Sequence, residues 1–137
     1  MNSENDPKTV ARRWFEEVWN SRSDEAVDEL MSSDAPGHVE GSEVRGPEDF
    51  RKMKAMFLSA LPDIVIEIED IVGEGDRAAV RWHARGTHLG DGFGFPATKQ
   101  SVNVRGTTWL TVREGRIVEG WDTWNLGALL DSLRRTG

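Results

Sequence analysis

The side chains able to exchange a proton near neutral pH are few. The 137 residues include three histidines, His38, His83 and His88, and no cysteine or tyrosine. The missing types exclude a thiol nucleophile, a disulfide, a Cys-based zinc or iron–sulfur site and a phenolic acid. What remains is imidazole and carboxylate chemistry, with indole N–H groups as neutral donors. His88 is the first candidate. From Arg77 to His88 the even positions, Ala78, Val80, Trp82, Ala84, Gly86 and His88, form an apolar face, and the odd ones a polar face. His88 therefore belongs with Trp82 on the dry side, where desolvation disfavours imidazolium and leaves a base or a neutral donor. His83 belongs on the wet side. That opposition also defeats His83 and His88 as a metal pair, and no metal is expected. The last strand supplies Glu119, Asp122 and Asn125. Strict alternation groups Ile117, Glu119, Trp121, Thr123 and Asn125 on one face and Val118, Gly120, Asp122 and Trp124 on the other, unless a bulge reverses the order.

Those residues need a scaffold. Pro7 after Asp6 opens a helix reaching about Asn20, with Val10, Ala11, Trp14, Phe15 and Val18 inward. Ser23 caps a short helix through Met31. An extended piece around Gly37-His38-Val39-Glu40 follows, in a segment otherwise read as loop. A third helix runs from Pro47, with Phe50, Met53, Phe57 and Leu61 as its stripe, until Pro62 stops it. The period then changes to two. Four long strands follow: one opening with Ile64, Ile66 and Ile68, then Arg77–His88, Ser101–Arg113 and Arg116–Trp124. Gly106 is a candidate bulge. A short helix from Leu126 to Arg135 ends the chain. Helices first and strands afterwards predict an α+β fold: three N-terminal helices packed in a strongly curved antiparallel sheet, forming a cone-shaped barrel in one domain over 1–137. Such a cone holds an apolar pocket, lined here by Trp14, Phe50, Met53, Phe57 and Trp82. Phe93 and Phe95, in a Gly-rich loop, are expected as a lid in preference to a dimer contact, and Phe95 as a ligand contact.

Composition narrows the partners. Hydrophobic residues make up 37% of the chain, and its 14 glycines bring the share to about 47%, normal for a folded domain. A net charge of -7 repels phosphate backbones, so no nucleic acid is expected. No apolar run approaches the roughly 18 residues of a membrane span. The polar start, Met1 to Asp6, is unlike a signal peptide, and a cytoplasmic protein is expected. The 6 tryptophans suit a hydrophobic or aromatic small molecule.

Several segments in this order resemble the SnoaL-like polyketide cyclase family, within the nuclear transport factor two-like superfamily. They are Ala60-Leu61-Pro62-Asp63, Gly75-Asp76-Arg77, Gly86-Thr87-His88, Phe95-Pro96-Ala97-Thr98-Lys99 and Gly115-Arg116-Ile117-Val118-Glu119-Gly120-Trp121. The resemblance implies an α+β barrel, a homodimer through the outer sheet face and no cofactor. It also implies a pocket role for His88 and for a His near position 38. The family's acid follows a Trp on the last strand, and counting from Trp121 puts Asn125 there. An amide cannot act as general base, though it can donate to an oxyanion. Trp121 then faces the pocket, with Glu119 as the nearer carboxylate and Asp122 as a further candidate. Trp109, on the outer face, marks the dimer contact. The expected function is acid/base chemistry near a carbonyl in polyketide-type secondary metabolism, with His88→Ala abolishing turnover and sparing stability. The alternatives are a non-catalytic binder of hydrophobic ligands and an epoxide hydrolase or dehydratase on the same fold.

Overall fold

The computed structural model describes residues 5–40 and 42–135; the polar start from Met1 to Glu4 lies outside them. Pro7 stands in the first turn of α1 (Pro7–Arg13), where its missing N–H costs no helical hydrogen bond. Asp6 precedes the helix in extended conformation, but its side chain makes no capping bond. Beyond Arg13 the helix widens. Trp14–Asn20 is a π-helical segment, with the Ser21 N–H donating to the Glu16 carbonyl at 2.9 Å. The wider turn brings Trp14, Phe15, Val18 and Trp19 all into the core. Asn20 then fixes the segment to the sheet: its Nδ2 donates to the Ile66 carbonyl and its Oδ1 accepts the Ile66 N–H, each at 2.8 Å.

Ser23 caps α2 (Asp24–Leu30) as the sequence predicts, its hydroxyl accepting the Ala26 N–H. The extended piece around His38 becomes β1 (Pro36–Val39), paired with β2 (Ser42–Arg45). α3 (Gly46–Ala60) buries Phe50, and also Lys54, whose Nζ lies 2.7 Å from an Asp24 carboxylate oxygen.

The long strands are β3 (Val65–Glu74), β4 (Arg77–Thr87), β5 (Ser101–Arg113) and β6 (Arg116–Thr123), followed by α4 (Leu126–Arg134). They pair antiparallel in sequence order, and β1 joins β6 in parallel. The result is one curved, unclosed six-stranded sheet in the order β2-β1-β6-β5-β4-β3, in the expected α+β class. On β4 the even positions Ala78, Val80, Trp82 and Ala84 are buried as expected. His83 departs from expectation: although on the other face, it is only 7% exposed and its Nε2 meets the Asn103 side-chain oxygen.

Two irregularities matter. The β4–β5 register runs unbroken past Gly106, so no bulge occurs there. Gly106 is needed for space instead: a Cβ would fall on the Trp82 ring and 2.8 Å from the Thr123 carbonyl oxygen. A bulge lies on β6 instead. Val112 pairs with Ile117, but Thr111 pairs with Glu119, which leaves Val118 as the extra residue.

Candidate functional site

That extra residue determines what β6 presents to the interior. Ile117 is buried opposite Val112. After Val118 the alternation is reversed, so Asp122 and Trp124 point inward while Glu119 and Trp121 point outward. Trp121 pairs directly with Trp109, and the two indoles are 36% and 43% exposed on the outer face.

Inside, a cavity of about 70 Å³ lies between the helices and the sheet. Of the aromatic and Met residues expected there, Trp14, Met53, Phe57 and Trp82 line it. Trp19, Trp124, Thr108 and the carboxylates of Asp122 and Glu40 join them. A second chamber, of about 40 Å³, shares Trp14, Thr108 and Asp122 with the first and reaches Phe50. Asp122 therefore stands between two small, mostly apolar spaces.

Its carboxyl is held by a directed chain. The Trp82 Nε1–H donates to Thr108 Oγ1 at 2.9 Å, and Thr108 Oγ1 lies 2.6 Å from Asp122 Oδ1. An indole nitrogen only donates, so the hydroxyl accepts from Trp82 and sends its own proton to Asp122. Among the described residues Asp122 Oδ2 takes no hydrogen bond. Burial pushes the Asp122 carboxyl up to about 6; the Thr108 bond opposes this, and the nearby Glu40 carboxylate adds to it. A carboxyl poised there can accept or release a proton near neutrality. Glu40 follows β1 and accepts the Trp124 backbone N–H at 2.9 Å, so its side chain is tied to the end of β6.

The remaining candidates serve elsewhere. His88 is fully buried, but it does not line the cavity. Its Nδ1 accepts the Thr98 N–H at 3.1 Å and lies 2.9 Å from the Thr98 hydroxyl, which puts the ring proton on Nε2. The ring stacks on Phe93 and packs against Phe95, so both phenyl groups fasten the loop at 89–100 rather than contact the cavity. Asn125 caps α4, its Oδ1 accepting the Ala128 N–H at 2.8 Å. His38 lies on the outer side with Trp121, ring centroids 5.4 Å apart. Its Nε2 is 2.8 Å from Glu119 and its Nδ1 is 3.2 Å from Glu43. These bonds, that to Glu119 first, raise the His38 imidazole above its ordinary value. Among the described residues no group of three or more His, Asp or Glu side chains is arranged to hold a metal ion, and no helix is long and apolar enough to cross a membrane.

The residues that sequence reasoning passed over are Glu40, Thr108 and Trp124. Trp124 was legible through its shared alternation with Asp122. Thr108 occupied an even position on β5 with no chemical signature of its own.

A family model described as SnoaL-like polyketide cyclase matches residues 9–133. Among solved structures, IdmH from Streptomyces antibioticus, described as a polyketide cyclase, is 29% identical with a TM-score of 0.81, covering 93% of this chain and 98% of that one. AclR from Streptomyces galilaeus, described as a hydroxylase, is also 29% identical with a TM-score of 0.81, covering 94% and 81%. A protein from Jannaschia sp. CCS1, described as a SnoaL-like polyketide cyclase, has a TM-score of 0.85 at 22% identity, covering 93% and 91%, and bears on the fold alone. No curated protein matches the sequence significantly.

Proposed function

The chain belongs to the SnoaL-like polyketide cyclase family, and from that premise we propose that it is an enzyme moving a proton at a carbon next to a carbonyl, with Asp122 as the acid/base. The carboxylate takes the proton from the substrate carbon, and the resulting carboxylic acid returns it to another atom of the same intermediate. The observation that carries this reading is the position of Asp122 between the two chambers, with Oδ1 held by Thr108 and Oδ2 left for a ligand. The Thr108 hydroxyl donates to Oδ1 of the carboxylate, which leaves Oδ2 as the oxygen that takes the proton from substrate.

The apolar surroundings assist in two ways. They raise the Asp122 carboxyl toward neutral pH, which strengthens it as a base. They also exclude water that would compete for the proton. The compact cavity takes the reacting fragment, and the rest of a larger molecule extends past Glu40 and Trp124. Both residues also line an open groove at the start of α4. A second copy of the chain, meeting this one through Trp109 and Trp121, is the proposed partner.

The test is deuterium exchange at the α-carbons of cyclohexanone in D₂O near neutral pH, where spontaneous exchange is slow. The native protein should accelerate exchange, and Asp122→Asn should slow it by about 10²-fold or more, the range for losing a positioned acid/base group. Equal exchange by the two proteins would overturn the assignment.

A further inference from the structure

The cavity has an asymmetric charge inventory. Two carboxylates, Glu40 and Asp122, line it, and no Lys, Arg or His does among the described residues. Four of the chain's 6 tryptophans, Trp14, Trp19, Trp82 and Trp124, form much of the remaining wall, together with Phe57. Their rings do not stack flat on one another. Trp82 and Trp124 meet at 68°, Phe57 and Trp124 at 57°, and Trp19 and Phe57 at 77°. An enclosure of indole and phenyl rings with acidic groups at its wall is the arrangement that recognises ammonium groups, through ring quadrupoles and direct charge pairing. The net charge of -7 attracts the same class of molecule from a distance.

We infer that the cavity takes a cationic head group, a protonated or quaternary amine carried by the substrate, with Glu40 as its charge partner. This rests on the acid/base reading of Asp122 and extends it to a substrate class. It also supplies what the site otherwise lacks: with no cationic side chain in the wall, the charge that develops on a carbonyl oxygen, as Asp122 takes the proton beside the Glu40 carboxylate, is offset by the substrate's own ammonium. The volume of about 70 Å³ suits a compact head group rather than a fused-ring body.

The test compares choline with its uncharged isostere, 3,3-dimethylbutan-1-ol, at pH 7.5, following the tryptophan indole N–H resonances. Choline should bind at least 10-fold more tightly and perturb several indole signals. Glu40→Gln retains an oxygen for the Trp124 N–H, and it should bring the two ligands within about 3-fold of each other. Equal or stronger binding of the alcohol, or no binding of choline at millimolar concentration, would overturn the inference. So would an unchanged preference in Glu40→Gln. A second measurement keeps the two readings apart. If the preference fails while Asp122→Asn still abolishes deuterium exchange, only the substrate class is lost. If the preference holds while exchange is indifferent to Asp122, only the acid/base reading is lost.

Discussion

Thr108 gives its hydroxyl proton to Asp122, with the two oxygens 2.6 Å apart, while the same hydroxyl oxygen accepts the Trp82 indole N–H. The bond stabilises the charged carboxylate against the burial that opposes it.

Thr108→Val removes that donor while conserving shape. The Asp122 carboxyl should then titrate above its present value of about 6, and the acidic limb of the activity profile, where the carboxylate forms, should move to higher pH. The Trp82 N–H loses its acceptor at the same time, at a cost of about 1–3 kcal/mol in stability. A pH–rate profile reads the first effect and urea unfolding the second.

Asp122 also links stability to pH. Its carboxyl ordinarily titrates at 3.8 and is raised to about 6 in the folded chain. Between these values the folded state binds more protons than the unfolded state. This group's contribution to stability therefore falls as pH rises from 3.8 to about 6, and stays lost above. A shift of that size corresponds to roughly 3 kcal/mol. Asp122→Asn should be the more stable protein at pH 7.5, by about 2–3 kcal/mol, and the difference should shrink below pH 4. Denaturation curves at the two pH values provide the comparison.

Deleting Val118 removes the bulge and leaves the two strands matched residue for residue. Alternation from Ile117 then keeps Glu119 and Trp121 outward and Asp122 and Trp124 inward, in their present pairing with β5. Stability within about 1 kcal/mol of the native protein and an unshifted tryptophan emission are expected. A red-shifted emission would show that residues beyond the bulge had changed face.

His88→Ala should act on stability first. It empties a fully buried site and leaves the Thr98 N–H without its acceptor. About 2–4 kcal/mol should be lost, and proteolysis within 89–100 should accelerate. This reverses the sequence-based expectation of lost turnover at unchanged stability. The reason is that the ring faces the loop and not the cavity.

Replacing Trp109 and Trp121 together with serine should lower the sedimentation coefficient to that of a monomer, without loss of fold. The two exposed indoles are direct partners across β5 and β6. An unchanged coefficient would remove the outer face as the contact between copies.

Much of the fold was legible because local rules were obeyed. The Ser23 cap, the proline in the first turn of α3 and the full extent of β5 all follow from residue type and period. The inner face of β6 was not legible, because one inserted residue inverts every assignment beyond it and Val118 looks like any strand valine. The misplacement of Trp121 carried Glu119 and Asn125 with it. Asn125 did carry a separate local signal: an Asn immediately before an apolar helical repeat is an N-cap, and it serves as one. Glu40 lies at the end of a piece too short for a period, and only the pairing of β1 with β6 brings it to the cavity.

The π-helical segment at Trp14–Asn20 has a consequence for how this scaffold changes over generations. Restoring ordinary helical winding with every residue kept turns the part beyond by about 100°. Trp14 and Trp19 would then no longer face the cavity together. A substitution that tightens this one turn, far from the acid itself, is enough to redraw the aromatic wall. New ligand preferences on this framework need not arise through substitution of the lining residues at all.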